Sequence, residues 1–361
     1  MVWDIFCKVI DNHGDLGVCW RLCAQLAARG ERVRLWVDDV SALEWMAPQG
    51  CDQEQTSVEV VRWIADAECR AEPGDVVIEA FGCELSLRYQ AAIVQRSPQP
   101  IWINLEYLTA QAYAARNHGL ASPVLAGPAS GATKYFFYPG FTVETGGLLR
   151  ERGLAEKQQN FDADAWLRSR GVERNDAIVT SLFCYEPHAL PDLIVQLASA
   201  HRQARLLVTS GRPADATRAA IKALDAQMPG WNSAGRLQVT WLPLMAQPDF
   251  DHLLWTCDLN FVRGEDSLVR ALWSGRPFVW HIYPQHDDAH HDKLHAFLDW
   301  LDAPTSLRDF HLAWNGMTQT LPAIDLASWR ACALDARLRL LNQEDLVTRL
   351  MHFIDSRRAI A

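Results

Sequence analysis

Two carboxylates, four positions apart, lie in a glycine-containing segment near the N-terminus, Asp11-Asn12-His13-Gly14-Asp15. The segment follows an apolar run and precedes residues at helical spacing, and many α/β proteins bind phosphate at such a junction through glycines and backbone N–H groups. Here the glycine spacing is not GxGxxG, and the carboxylates of Asp11 and Asp15 would repel a diphosphate. They could instead accept hydrogen bonds from a cation, and a guanidinium fits that description well.

Helix capping and turn formation explain the same two carboxylates at least equally well. An aspartate at a strand-to-helix junction often accepts a hydrogen bond from a backbone N–H, so Asp15 could cap the helix and Asp11 could fix the turn. His13 could act as a base, although a solvated histidine is the more common state on such a loop. Spacing alone leaves both interpretations of the segment open.

A second segment of opposite character, Arg263-Gly264-Glu265-Asp266-Ser267, joins a predicted strand to a predicted helix. Free N–H groups at the helix start, the Ser267 hydroxyl and the cation of Arg263 could stabilise a leaving diphosphate without a metal. The carboxylates of Glu265 and Asp266 must then point elsewhere, to sugar hydroxyls, backbone donors or an approaching cation. Helix capping by Asp or Ser is again the structural alternative.

Aromatic residues stand near these predicted strand ends and could stack on a base and a ribose. They are Phe183 and Tyr185, after the first strand of the second half, and Phe250, after Gln247-Pro248. Core packing is the ordinary role of each one singly. Their position on the ligand-binding side of a parallel sheet favours a role in binding.

Two groups of residues resemble metal-binding patterns without predicting a metal site. Asp162-Ala163-Asp164 precedes Trp166 and is typical of a helix cap. Histidines and aspartates cluster between residues 281 and 295, where a helix is expected and aspartates are common in its first turn. The histidines are His281, His286, His290, His291 and His295, and the aspartates are Asp287, Asp288 and Asp292.

Strands and helices alternate along both halves of the chain, which predicts two Rossmann-like α/β domains. Strands are expected at 2–10, 33–37, 75–81 and 101–105, with a helix at 18–28, and a second series of strands at 177–184, 204–209, 237–242, 259–263 and 277–282. The predicted domains span 1–157 and 172–340. An amphipathic helix within 343–361, roughly 343–356, is expected to pack back on the first domain.

Length and composition describe an ordinary globular protein, since 361 residues exceed one typical core and hydrophobic residues make up 49%. The net charge of −10 disfavours nucleic acid as a partner and leaves a basic partner possible. No leader-like N-terminus or membrane-spanning run is recognised, so a cytoplasmic protein is expected. The nine cysteines include no CxxC pair, and free thiols are expected, with Cys7 and Cys257 buried.

Six segments, spread over essentially the whole chain, resemble the bacterial elongation factor P arginine rhamnosyltransferases, the EarP family. They are DNHGDLGV at 11–18, YPGF at 138–141, GGLLR at 146–150, FCYE at 183–186, RGEDS at 263–267 and FVWHIYPQ at 278–285. The resemblance implies a GT-B glycosyltransferase, with two facing Rossmann-like domains and an interdomain cleft. It also implies transfer of L-rhamnose from dTDP-β-L-rhamnose to an arginine of elongation factor P, inverting the anomeric centre and requiring no metal.

The resemblance also implies roles for particular residues. Asp15 matches the proposed general base, Asp11 its acceptor-orienting partner and Glu265 a further acidic group. The positions that match donor-binding residues are Phe183, Tyr185, Gln247, Phe250, Arg263, Asp266 and Ser267. The rival hypotheses are a GT-B glycosyltransferase or nucleotide-sugar epimerase acting on a small molecule, and a non-enzymatic protein that docks a basic domain of a translation factor.

Overall fold

The computed structural model describes residues 1–9, 13–48, 58–63, 72–285 and 288–359. The chain divides into two compact units, one formed by Met1–Arg152 with Gln343–Ala361 and the other by Gly153–Asn342. The division after Arg152 lies five residues before residue 157, the predicted end of the first domain. The C-terminal segment belongs to the first unit.

The described part of the first unit contains a largely parallel sheet in the order β3-β2-β1-β4-β5-β7-β6, in which β6 pairs antiparallel to β7. Its strands are β1 (Val2–Cys7), β2 (Arg32–Val37), β3 (Val58–Arg62), β4 (Val76–Ala80), β5 (Ile101–Leu105), β6 (Ala121–Pro123) and β7 (Thr133–Phe137). Its helices are α1 (Gly14–Ala27), α2 (Leu43–Met46), α3 (Leu87–Gln95), α4 (Ala112–Asn117) and α14 (Leu346–Arg358).

The first strand and helix differ in extent from the sequence prediction. Strand β1 ends at Cys7, short of the predicted residue 10, because the Val9 N–H bonds to the Asp38 carboxylate at 2.9 Å rather than to a neighbouring strand. Helix α1 begins at Gly14 rather than at residue 18, since the His13 carbonyl already accepts the Gly17 N–H at 2.9 Å. Asp15 therefore lies inside the first turn of α1.

Helix α14 packs on α1 and β5 of the first unit. It begins at Leu346, later than predicted, because the Asp345 carboxylate accepts the Thr348 N–H at 3.1 Å and caps the helix. Asp345 also pairs with Arg29 at 2.6 Å. Its apolar stripe joins the core of the unit through Leu346, Val347, Leu350 and Ile354.

The second unit contains a parallel sheet, described in the order β10-β9-β8-β11-β12. Its strands are β8 (Ile178–Leu182), β9 (Ala204–Val208), β10 (Leu237–Trp241), β11 (Leu259–Arg263) and β12 (Phe278–His281), which confirms the predicted second series. Its helices are α5 (Leu154–Gln159), α6 (Ala163–Arg168), α7 (Leu190–Ser199), α8 (Arg212–Gln227), α9 (Gln247–Thr256), α10 (Gly264–Ser274), α11 (Ala289–Leu301), α12 (Thr305–Trp314) and α13 (Leu326–Leu341).

Each sheet reverses its strand order beside its first strand. In the first unit β1 lies between β2 and β4, and in the second β8 lies between β9 and β11. Open α/β sheets bind ligands at the carboxyl ends of the strands at this switch point. The segments that follow β1, β8 and β11 include Asp15, Phe183 and Gly264, respectively, so the sequence motifs lie at these edges.

The described cysteines are free, and all but Cys332 are buried, including Cys7 and Cys257 as predicted. Within the ranges that the structure covers, no helix is both long and apolar enough to span a bilayer.

Candidate active site

Asp15 lies half-buried in the first turn of α1, and its carboxylate accepts a hydrogen bond from the Tyr107 hydroxyl across 3.2 Å. The N-cap position belongs to His13, and no side-chain cap bond is made there. Asp15 is therefore not the N-cap residue, which weakens the structural explanation for its carboxylate. Asp11 and Asn12 lie outside the described residues.

Tyr107 is held by Phe81, an aromatic residue in an unusual backbone conformation. The two rings stack with centroids 4.8 Å apart and an interplanar angle of 26°. Phe81 has φ of +57° directly after β4, a conformation that costs a bulky residue on the order of 1 kcal/mol or more. Its N–H bonds to the Leu105 carbonyl at 2.8 Å, tying the ends of β4 and β5 together. Tyr107, which follows β5, thus contacts both Phe81, which follows β4, and Asp15 in the first turn of α1.

Glu106 adds a second carboxylate at the end of β5. It is half-buried, and burial raises its pKa above the ordinary range although the Asn104 side-chain amide donates to it at 2.8 Å. Neither Glu106 nor Tyr107 is among the site residues predicted from the sequence. The available signal was a Glu-Tyr pair placed directly after a predicted strand, at the edge where ligands collect.

In the second unit, the Arg263 guanidinium lies against two aromatic rings. Its central carbon is 4.5 Å from the Phe183 ring centroid and 4.8 Å from that of Tyr185, and Nη1 donates to the Cys184 carbonyl at 3.3 Å. Burial lowers the pKa of Arg263. A desolvated guanidinium of this kind is well suited to bind the oxygens of a phosphate.

Ser267 organises the start of α10 rather than pointing away from it. Its hydroxyl donates to the Arg263 carbonyl and accepts the Arg263 N–H at 3.0 Å. Gly264, with φ of +65°, leads into the helix, where a Cβ would lie 3.8 Å from the Tyr185 hydroxyl. In this structure Ser267 therefore fixes the backbone that carries Arg263, but it is not the cap of α10, because the N-cap residue is Arg263 and no side-chain cap bond is made there.

Glu265 forms an ion pair with Lys293 of α11, with 2.7 Å between Oε1 and Nζ. Both side chains are mostly buried, with exposed fractions of 18% and 21%. The carboxylate is thus directed to a cation that is not among the residues predicted from the sequence. Asp266 is half-buried in the same first turn of α10.

Helix α9 supplies the other predicted donor residues, since Gln247 is its buried first residue and Phe250 lies one turn later. The Phe250 ring meets Phe183 edge-on, with centroids 5.2 Å apart. A buried bidentate ion pair between Arg270 and Asp251, at 2.9 and 2.8 Å, joins α10 to α9. The structure therefore brings the seven predicted donor-binding residues to one end of the second sheet.

The neutral imidazole of His281 holds the backbone of Tyr185 through a hydrogen bond. Its Nδ1 accepts the Tyr185 N–H at 3.3 Å, and burial lowers the pKa of His281 to about 3. Burial also raises the pKa of Tyr185 to about 12. Near neutral pH both side chains are uncharged, so they shape the site without carrying charge.

The suspected metal-binding patterns fall into two cases. Asp162 caps α6, accepting the Ala165 N–H at 2.9 Å, as the sequence predicts. Asp288, His290 and His291 offer ligand atoms within 4.8 Å of one another. The Nδ1 of His290 accepts the Gln285 N–H at 3.1 Å, which places the proton of the neutral imidazole on Nε2 and opposes coordination through either nitrogen. His286 and Asp287 lie outside the described residues.

Comparison with known sequences points to one family. Residues 3–355 match the model of the family described as elongation factor P (EF-P) rhamnosyltransferase EarP. A protein-arginine rhamnosyltransferase of Pseudomonas aeruginosa is 43% identical over 97% of this chain and 98% of its own length. Its counterpart in Pseudomonas putida is 42% identical over the same shares of the two chains.

Solved structures agree with this result. One described as the structural basis for EarP-mediated arginine glycosylation of translation elongation factor EF-P is 30% identical, with a TM-score of 0.63 over 98% of this chain and 99% of that one. The glycosyltransferase VinC, solved in complex with dTDP, is 12% identical, with a TM-score of 0.53 over 98% and 99% of the two chains. At that identity the second match shows the fold alone.

Proposed function

The chain belongs to the EarP family of elongation factor P rhamnosyltransferases and has the GT-B fold, and from this we propose that it rhamnosylates an arginine of elongation factor P. The proposed donor is dTDP-β-L-rhamnose, transferred with inversion and without a metal. One observation carries the proposal: the switch-point edge of the first sheet presents the Asp15 carboxylate, whereas that of the second presents the Arg263 guanidinium.

The acceptor is difficult to activate, because a guanidinium has a pKa above about 12 and its nitrogen lone pairs are delocalised. We assign Asp15 to receive it. A carboxylate can localise the positive charge, direct one nitrogen toward the anomeric carbon and take a proton as the bond forms. The Tyr107 hydroxyl restricts the rotation of that carboxylate through its hydrogen bond at 3.2 Å. By family resemblance, Asp11 orients the same guanidinium.

The proposed reaction is a single displacement at the anomeric carbon. The arginine nitrogen forms a bond to the anomeric carbon on the face opposite the leaving group, and the bond between that carbon and the diphosphate oxygen breaks. The electron pair of the broken bond stays with dTDP, and the proton lost by the arginine nitrogen passes to Asp15. One displacement with one base inverts the configuration at the anomeric carbon.

The leaving diphosphate gains negative charge, and Arg263 with the N-terminus of α10 lies where we place it. Phe183 and Phe250, 5.2 Å apart and edge-on, offer ring surface for the base and ribose. Glu265 is held by Lys293 at 2.7 Å, which keeps its carboxylate away from a diphosphate. We assign Glu265 to a sugar hydroxyl or to the approaching arginine.

The proposal is tested by incubating the purified protein with dTDP-rhamnose and elongation factor P and measuring the intact mass of the acceptor. We expect one deoxyhexose per acceptor chain, and fragmentation should place it on an arginine. Consumption of the donor without an adduct on the acceptor protein would contradict the proposal and favour a small-molecule acceptor.

A further inference from the structure

A second arginine of the second unit lies at the same ring as Arg263. Arg212 is the first residue of α8, just beyond the end of β9. Its central guanidinium carbon is 4.9 Å from the Tyr185 ring centroid, and that of Arg263 is 4.8 Å from the same centroid. Two cations therefore converge on one aromatic side chain at the carboxyl edge of the sheet.

Arg212 is bound to Glu186 in a way that leaves it exchangeable. The two side chains form a bidentate ion pair, with distances of 2.7 Å from Nε to Oε1 and 2.5 Å from Nη2 to Oε2. Their exposed fractions are 51% and 53%, so water screens the pair strongly. Ion pairs this exposed contribute little free energy, so a doubly charged ligand can outweigh this one.

The charge balance at this edge favours a second cation for an anionic ligand. Glu265 already neutralises Lys293, and Asp266 and Glu186 add negative charge. Arg263 alone would face a diphosphate that carries at least two negative charges. The positive charge of Arg212 also contributes to the lowered pKa of Arg263, after the larger effect of burial. An anion placed near both guanidinium groups would relieve their mutual repulsion.

We propose that Arg212 is a second diphosphate-binding cation of the donor site, and that the Glu186 carboxylate pairs with its guanidinium when no donor is bound. Donor binding exchanges the Glu186 carboxylate for phosphate oxygens, which match the guanidinium equally well in a two-point contact. The identity of the ligand as a nucleoside diphosphate sugar is taken from the proposed function. It adds a residue that the sequence patterns did not identify.

The experiment measures binding of dTDP and dTMP by titration calorimetry to the wild type, Arg212→Gln and Glu186→Gln. Arg212→Gln should weaken dTDP binding about tenfold and dTMP binding less. Glu186→Gln should tighten dTDP binding about threefold, because the competing carboxylate is gone. Arg218→Gln is the matched control, since Arg218 lies on the same helix, pairs with Asp215 and covers the Trp241 ring instead.

Each outcome decides a different point. If the wild type binds dTDP and both Arg212→Gln and Glu186→Gln bind it with unchanged affinity, the role of Arg212 is overturned while the donor class stands. If the wild type binds neither nucleotide, the proposed donor is wrong and the role of Arg212 is rejected with it. Glu186→Gln changes an exposed side chain, so it reports on the exchange even if Arg212→Gln proves unstable.

Discussion

The Tyr107 hydroxyl donates a hydrogen bond to Oδ2 of Asp15 across 3.2 Å, from a ring that is itself stacked on Phe81. Tyr107 comes from the end of β5 and Asp15 from the first turn of α1, so the contact joins segments 92 residues apart in sequence. Because the hydrogen bond reaches the proposed base, Tyr107 is a positioning residue for it.

Tyr107→Phe should lower kcat about tenfold, because it removes a hydrogen bond to a charged group but keeps the stacking surface. The KM for the donor should stay unchanged, since the proposed donor residues lie in the other unit. Initial rates at varied donor concentration separate the two parameters. Tyr113→Phe is the control, because Tyr113 is similarly exposed and contacts Tyr138 rather than Asp15. A rise in donor KM with unchanged kcat would contradict the positioning role.

Arg263→Ala should weaken nucleotide binding roughly tenfold to a hundredfold, since it removes a buried cation that we place on the diphosphate. Arg263→Lys should recover only part of the affinity, because lysine keeps the charge but cannot stack as a plane on Phe183 and Tyr185. Titration with dTDP measures both variants. Full affinity in Arg263→Ala would remove this residue from the donor site.

Asp251→Asn should destabilise the second unit by about 3 kcal/mol, because it removes the negative charge from a buried ion pair with Arg270. The exposed fractions in this pair are 2% for Arg270 and 8% for Asp251. Urea denaturation measures the loss. Asp215→Asn breaks the exposed ion pair with Arg218 on α8 and should leave the denaturation midpoint unchanged. Equal effects of the two variants would show that burial of the Arg270 pair is unimportant.

Stability should fall as the pH drops below about 6.5, because two buried histidines of the second unit stay neutral in the folded state. The pKa of His281 is lowered to about 3 and that of His311 to about 4, both by burial. On acidification the two histidines are protonated near pH 6.5 in the unfolded chain but only near pH 3–4 in the folded chain. The free energy of unfolding therefore decreases as the pH falls from about 6.5 to pH 3–4. Each histidine should cost about 2 kcal/mol between pH 7 and pH 5.

Urea denaturation of the wild type and His311→Gln at pH 7 and pH 5 checks this expectation. In the folded protein the His311 Nε2 accepts the Trp280 N–H at 3.0 Å, and glutamine, whose amide oxygen reaches about as far as Nε2, can accept it without titrating. The variant should therefore lose less stability than the wild type on acidification. Identical pH dependence of the two proteins would show that His311 does not titrate on unfolding.

Much of the second sheet was predictable from sequence because its strands are short runs rich in apolar and β-branched residues. The run before Phe183 and the run ending at Arg263 are bounded by polar or glycine-rich segments, so their carboxyl ends and the candidate donor residues there could be placed in advance. The first unit was harder. Val9 bonds to a side chain, and helix α1 starts at Gly14 before its apolar spacing becomes visible.

Contacts that depend on long-range packing could not be predicted. Nothing in the sequence near Glu265 indicates Lys293, and nothing near Asp15 indicates Tyr107, since each partner comes from a distant element. Charge patterns identify which residues could do chemistry, whereas the partner of each charge is set by the order of strands in the sheet. Ser267 is a local case, because its hydroxyl bonds to the backbone of Arg263, only four residues earlier in the sequence.

We propose that Asp15 receives the arginine and does not bind the nucleotide, and Asp15→Asn separates these two roles. The measurement is the intact mass of elongation factor P after incubation with dTDP-rhamnose and either the wild type or the variant, with dTDP affinity measured on both enzymes. We predict that Asp15→Asn gives no deoxyhexose adduct while binding dTDP as tightly as the wild type. Wild-type turnover by Asp15→Asn, or loss of transfer explained by loss of dTDP binding, would rule out this role of Asp15.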